Sequence, residues 1–122
     1  MKTKIFVSFD FAQDHDLKGS LVAQAQNPES PFEIIDLSLA ESKPQKEWLS
    51  HAQSSIARCD VFVVILGLNT HQAPGVLKEV KVAKGLRKRR FQLKPQGTNP
   101  TSVKDGGPVV NWTWNKLKTL LK

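Results

Sequence analysis

The chain has one cysteine in 122 residues, Cys59, so no internal disulfide can staple it, and a chain of this length builds a core without one. No apolar run approaches the roughly 20 residues of a membrane-spanning helix. The opening MKTKIFVSFD has too short an apolar segment and no small-residue cleavage pattern for a secretory signal. The expectation is a cytoplasmic protein without membrane association. Gly-x-Gly-x-x-Gly and P-loop patterns are missing, which excludes both standard dinucleotide cradles. So is Gly-x-Ser-x-Gly, the nucleophile elbow of many hydrolases. His15, His51 and His71 are too far apart in sequence for zinc-ligand spacing, so neither a metal nor a resident cofactor is expected. No repeat or linker divides the chain, and residues 1–122 read as one domain.

What is present is a globular composition with a net charge of +7. A basic chain gains affinity for nucleic acid through phosphate contacts. Here, however, the excess gathers in Lys84 to Arg90 and in the last helix at Lys116, Lys118 and Lys122. Cations at helix ends also favour the helix dipole. The distribution therefore argues against a nucleic-acid footprint and leaves open attraction of a small anion. Cys59, directly before an apolar strand, reads as a packed thiol and not as a nucleophile.

Two stretches show apolar residues without alternation: Ile5 to Phe9, and above all Val61 to Leu66, which stops at Gly67. Strands covered on both faces look like this, so both belong at the centre of a parallel sheet. Phe32 to Asp36 is more mixed and suits a position nearer the edge. Arg90 to Lys94 alternates, which predicts one buried face and a place at the far side of the sheet. Val109-Val110 offers a short fifth strand. Between the strands lie helical patterns. Leu17, Leu21 and Ala25 follow an aspartate cap at Asp14 or Asp16. Trp48, Leu49, Ala52 and Ile56 follow a start signal at Ser42, Pro44 and Gln45. Val76, Val80 and Ala83 form the stripe of a helix from about Ala73 to Leu86, with Pro74 in its first turn. Trp114, Leu117 and Leu121 follow a cap at Asn111 or Thr113. The turn-rich stretch from Pro95 to Pro108 is long enough for a lid over a site or for disorder.

Strands alternating with helices imply right-handed βαβ units and an α/β three-layer sandwich. With the first and third strands most buried, the strand order is 2-1-3-4, extended to 2-1-3-4-5 by the fifth strand: the flavodoxin-like winding. The order reverses between strands one and three, so the loops Ser8 to Asp16 and Gly67 to Gly75 face each other across one crevice. A phosphoacceptor receiver shares this winding but needs an aspartate ending strand three, where this chain has Leu66 and Gly67.

The crevice collects Ser8, Phe9 and Asp10, then Asn69, Thr70 and His71, with the first amides of the following helix, which favour an anion. Glu79 lies about 60° round that helix from Val76 and about 100° from Val80, so it can border the crevice. On spacing alone a solvated glutamate pairing with Lys78 or Lys81 is the simpler expectation.

KIFVSFDF, SPFEIIDLSL and RCDVFVVILGLNTHQAPGVLKEVKVA together resemble the small TIR-like family that includes the sensor subunits of Thoeris anti-phage systems. The resemblance covers about Lys4 to Pro95. It implies a flavodoxin-like fold and cleavage of the nicotinamide glycosidic bond of NAD, with NAD as substrate and an ADP-ribose-type nucleotide as signal. Glu79 stands where TIR enzymes carry the catalytic glutamate of a Trp-Cys-x-x-Glu-like pattern. By the same resemblance Ser8, Phe9 and Asp10 close the first strand beside the substrate, Phe9 by stacking, and Asn69, Thr70 and His71 contact ribose or phosphate. Gly75 replaces the tryptophan of that pattern, and the segment Asp36 to Pro44 departs from the usual TIR loop. These departures point to a trigger, a protein partner or self-association, or to a non-catalytic module that binds a partner or a nucleotide.

Overall fold

A computed structural model describes residues 2–37 and 45–122, and every structural statement below concerns those residues. The strands are β1 (Thr3–Ser8), β2 (Phe32–Leu37), β3 (Val61–Ile65), β4 (Arg89–Lys94) and β5 (Val109–Asn111). They form one sheet in the order β2-β1-β3-β4-β5, and every pairing is parallel. The helices are α1 (His15–Ala25), α2 (Gln45–Arg58), α3 (Pro74–Gly85) and α4 (Trp114–Leu120), and a 3-10 turn at Thr70–Gln72 precedes α3. The chain is an α/β flavodoxin-like sandwich, and its fifth strand is formed. Ser42 and Pro44, read as a helix start, lie outside the described residues.

Alternation along β1 and β3 divides the core. Ile5, Val7 and Phe9 join Val61, Val63 and Ile65 under α1 and α4, where Leu21, Leu117 and Leu121 close the layer. Phe6, Phe62, Val64 and Leu66 point the other way, against Trp48, Ala52 and Ile56 of α2 and Val76, Val80 and Ala83 of α3. Phe6 and Phe62 stack with ring centroids 5.7 Å apart. Each such ring removed from water contributes about 1.5–3 kcal/mol. The register Phe6↔Phe62 and Ser8↔Val64 brings the carboxyl end of β1 level with that of β3.

Two expectations change. β4 does not expose one face at its centre, since Phe91, Gln92 and Leu93 are all buried. β5 covers its edge, and the Pro95 to Pro108 stretch folds back over Gln92. The Gln92 side chain accepts from Val103 N at 2.7 Å and donates to Val103 O at 3.1 Å and Gly107 O at 2.8 Å. A lone polar residue in an apolar run is thus satisfied by loop backbone. Val103 is buried against the α2–α3 layer, so the Val103–Gly107 part of this stretch is packed structure, neither a disordered loop nor a lid over the β1–α3 crevice. At the last helix the cap is Thr113, whose hydroxyl accepts from Lys116 N at 3.1 Å. Among the described residues no helix is long and apolar enough to cross a membrane.

Candidate functional site

The site is built where β1 ends against α3. Ser8 follows Phe6 by two residues and therefore points to the same face of the sheet, toward α3. Glu79 lies one turn beyond Val76 on the buried side of α3. Ser8 Oγ donates to Glu79 Oε1 at 2.7 Å, across 71 positions of sequence. Both residues are 0% exposed. The solvated glutamate paired with neighbouring lysines is therefore overturned: Glu79 is a core residue. A carboxylate is costly to bury unless hydrogen-bonded, and Ser8 meets part of that requirement.

Above this pair lies the crevice. Asp10, Ala12, Gln13, Asn69, Gln72, Ala73 and Pro74 line a cavity of about 370 Å³. The two loops face one another as the strand order requires, and two hydrogen bonds join them. Asn69 Nδ2 donates to Gln13 Oε1 at 2.8 Å, at the surface. Thr70 Oγ1 donates to Asp14 Oδ2 at 3.1 Å, in the interior. Glu79 lies five residues along α3 from Pro74, about 7.5 Å deeper at 1.5 Å per residue. The acid is thus beneath the crevice.

The remaining expected residues divide. Asp10 is nearly buried and accepts from Ala12 N at 3.2 Å, closing the turn after β1. Thr70, fully buried, accepts from Gly67 N at 2.7 Å and gives its proton to Asp14, so it holds the loop and does not line the crevice. His71 has a buried Nδ1 with no hydrogen-bond partner among the described residues. Phe9 is not a stacking surface. It is 2% exposed and packs in the α1–α4 layer with Phe11 at 6.1 Å and His15 at 5.8 Å. Ser8 and Phe9 are adjacent and so face opposite sides of the sheet.

Asp14, expected with Asp16 as a candidate helix cap, bonds elsewhere. It stands at the N-cap of α1 but makes no side-chain cap bond. Its carboxylate crosses to Thr70 and lies against Gly67, whose missing side chain makes the approach feasible. Burial pushes the Asp14 carboxyl up from its ordinary value of 3.8, the Thr70 hydroxyl opposes this, and Asp10 adds to it. The only sequence signal was a glycine directly after an apolar strand. Gln13 and Gln72 lie in the two loops that the sequence sets across the crevice from each other.

Other chemistry-bearing groups lie elsewhere. Cys59 is buried, and burial pushes its thiol up, away from nucleophilic use. Lys88 Nζ donates to the carbonyls of Ala57 and Cys59 at 2.9 and 2.8 Å. Arg90 binds the carbonyls of Asp105 and Lys88 at 2.6 and 3.0 Å. This part of the basic run fastens loops at the amino end of β4, opposite the crevice. Among the described residues no group of His, Cys, Asp and Glu could hold a metal ion.

No protein-family model matches the chain, and no curated protein matches it significantly. Among solved structures, that of a CMP N-glycosidase, BcmB, from Clostridium botulinum is similar with a TM-score of 0.63 and 17% sequence identity, over 97% of this chain and 97% of that chain. At that identity the likeness shows a shared fold over nearly the whole length of both.

Proposed function

We propose that this protein is a TIR-like enzyme that cleaves the N-glycosidic bond between base and ribose in a nucleotide, with Glu79 as the catalytic carboxylate. NAD is the substrate we assign, and an ADP-ribose-type product serves as a signal in bacterial anti-phage defence. The reading rests on one observation: a glutamate with no exposed surface, on the helix after the central strand, hydrogen-bonded to Ser8 beneath a polar crevice. The fold likeness to a CMP N-glycosidase supports the reaction class, and the resemblance to TIR-like proteins supports the choice of NAD.

In such a reaction the base departs with the electrons of the C1′–N bond, and water supplies the hydroxyl that replaces it. Positive charge develops on the ribose. A buried carboxylate stabilises that charge far more than an exposed one, because little solvent screens it. Ser8 fixes the carboxylate through Oε1. The crevice amides of Asn69, Gln13 and Gln72 suit ribose hydroxyls. On this reading the crevice floor must open to uncover Glu79, and the surface Gln13–Asn69 bond must part with it. A neutral surface bond of that kind contributes about 0.5–1.5 kcal/mol, which substrate binding readily offsets.

The test is incubation of purified protein with NAD and with CMP, with and without lysate from phage-infected cells, followed by mass spectrometry of nicotinamide, cytosine and new nucleotides. Base release that disappears in Glu79→Gln, with the fold retained by circular dichroism, is the expected result. Equal turnover in the variant would sink the assignment. Gly75, standing where the TIR pattern has tryptophan, favours a second reading, a non-catalytic TIR-like module binding a nucleotide or protein partner. It predicts nucleotide recovered intact from a stable complex.

A further inference from the structure

A second cavity, of about 250 Å³, opens on the other side of the Gly67–Gln72 loop, between α1, the end of β3 and the Pro95–Pro100 segment. It shares no lining residue with the crevice above Glu79. We propose that it is a binding site for an amino-bearing planar heterocycle, an adenine or cytosine nucleoside, held by Asp14. This goes beyond the catalytic reading and does not depend on it.

Three observations carry the assignment. First, the cavity has one charged group, Asp14, and no lysine or arginine lines it. Asp14 as a whole is 8% exposed. Its one side-chain hydrogen bond among the described residues comes from Thr70 to Oδ2. An ionised carboxyl has about four acceptor positions, so capacity remains for a ligand donor. The same charge disfavours a phosphate, which separates this site from one for intact nucleotides.

Second, apolar side chains form most of the wall: Leu17, Leu68, Pro95 and Pro100. They suit the faces of a ring, while Asn99 at the rim suits sugar hydroxyls. A volume below the usual range of about 300–1,000 Å³ for drug-sized ligands fits one base with its sugar and excludes a dinucleotide. Third, Leu68 is 80% exposed, the most exposed of the large apolar side chains. A ring in the cavity would cover it.

The cavity also touches the catalytic crevice through one device. Thr70 joins Asp14 to the loop that carries Asn69 and Gln72, the crevice wall. Occupancy at Asp14 therefore bears on the geometry of that wall.

The experiment titrates adenosine and cytidine into isotopically labelled protein, with N6,N6-dimethyladenosine and N4,N4-dimethylcytidine as analogues that keep the ring and lack the amino donor. Saturable amide shifts are expected at Leu66–Leu68 and Thr98–Asn99 at millimolar ligand. The dimethyl analogues should bind at least about tenfold more weakly, as expected for a lost hydrogen bond to a charged acceptor. Asp14→Asn keeps the shape and an acceptor for Thr70 and should weaken adenosine at least about fivefold. Leu17→Trp, which fills the cavity from the partly exposed side of α1, should abolish the shifts. Glu79→Gln should leave them unchanged, so failure here and failure of the catalytic reading are separable. Equal binding of amino and dimethyl forms would overturn the proposal. So would shifts confined to Asp10–Gln13 and Gln72–Ala73, or no saturable shift.

Discussion

Substituting Gly67 with alanine tests the clamp that joins the two crevice loops. A Cβ on Gly67 would stand 2.1 Å from Asp14 Oδ2, 2.3 Å from Oδ1 and 2.4 Å from Cγ. No atom can approach so closely, so the Asp14 carboxylate must leave. It has little room, being short, buried and fixed at the start of α1. Leaving breaks its bond to Thr70, and the Thr70 hydroxyl then loses the acceptor for its proton. Overpacking of this kind costs about 1–3 kcal/mol, and a hydrogen bond to a charged group contributes about 1.5–3 kcal/mol. The backbone of Gly67 is not in the left-handed region, so alanine itself gains back about 0.4–1 kcal/mol through the unfolded chain. The net expectation is a loss of about 2–5 kcal/mol, read as a shift of the urea midpoint at constant slope. In an Asp14→Ala background the obstacle is absent, and the same Gly67→Ala change should cost less than about 1 kcal/mol. The cycle isolates the contact. An equal cost in both backgrounds would refute the reasoning, because the penalty would then have a source other than Asp14.

Two further outcomes follow from the same geometry. Gln92→Leu removes three hydrogen bonds between β4 and the Val103–Gly107 backbone. At about 1 kcal/mol each, it should lower stability by about 2–3 kcal/mol and expose the Pro95–Pro108 stretch to limited proteolysis; unchanged cleavage there would show that Val103 burial alone holds it. The raised carboxyl of Asp14 means that the folded state keeps its proton to higher pH than the unfolded chain. Its contribution to stability is therefore full below 3.8 and is lost as pH rises through the raised value. Relative to Asp14→Asn, the native protein should lose stability as pH climbs through that window, and denaturation curves that stay parallel across it would contradict this.

The sheet order was legible because Val61–Leu66 and Ile5–Phe9 lack alternation, which marks strands covered on both faces, and two central strands leave few windings. Helix geometry allowed Glu79 to border the crevice but favoured a solvated glutamate, and only the resemblance to TIR-like proteins singled it out. Its full burial was not legible, because it depends on Ser8, 71 positions away, and no local pattern encodes such a contact. Gln92 misled for a related reason. Its polarity within Arg90–Lys94 imitates a solvent-facing position, and only the later fold-back of Val103 supplies the partners. An aspartate before a helix is a cap by default, which makes Asp14 or Asp16 the candidates in the sequence. The glycine that draws Asp14 away lies after another strand.

Phe9 is different, for the needed signal was in the sequence. Residues 5, 7 and 9 share one face of β1, and residues 6, 8 and 10 the other. Since α3 packs on the face of Phe6, Ser8 and Asp10 are turned toward the crevice and Phe9 is turned away from it. Bringing Phe9 out to stack on a ligand would forfeit about 1.5–3 kcal/mol of core burial and leave a hole beneath α1. Such a loss is comparable to what stacking on one base returns, about 1–3 kcal/mol, so the exchange gives no net affinity. The residues that line the crevice are instead Asp10, Gln13, Asn69 and Gln72, with alanine and proline between them. A ligand there would meet amide and carboxylate side chains, which suit hydroxyl and amide groups.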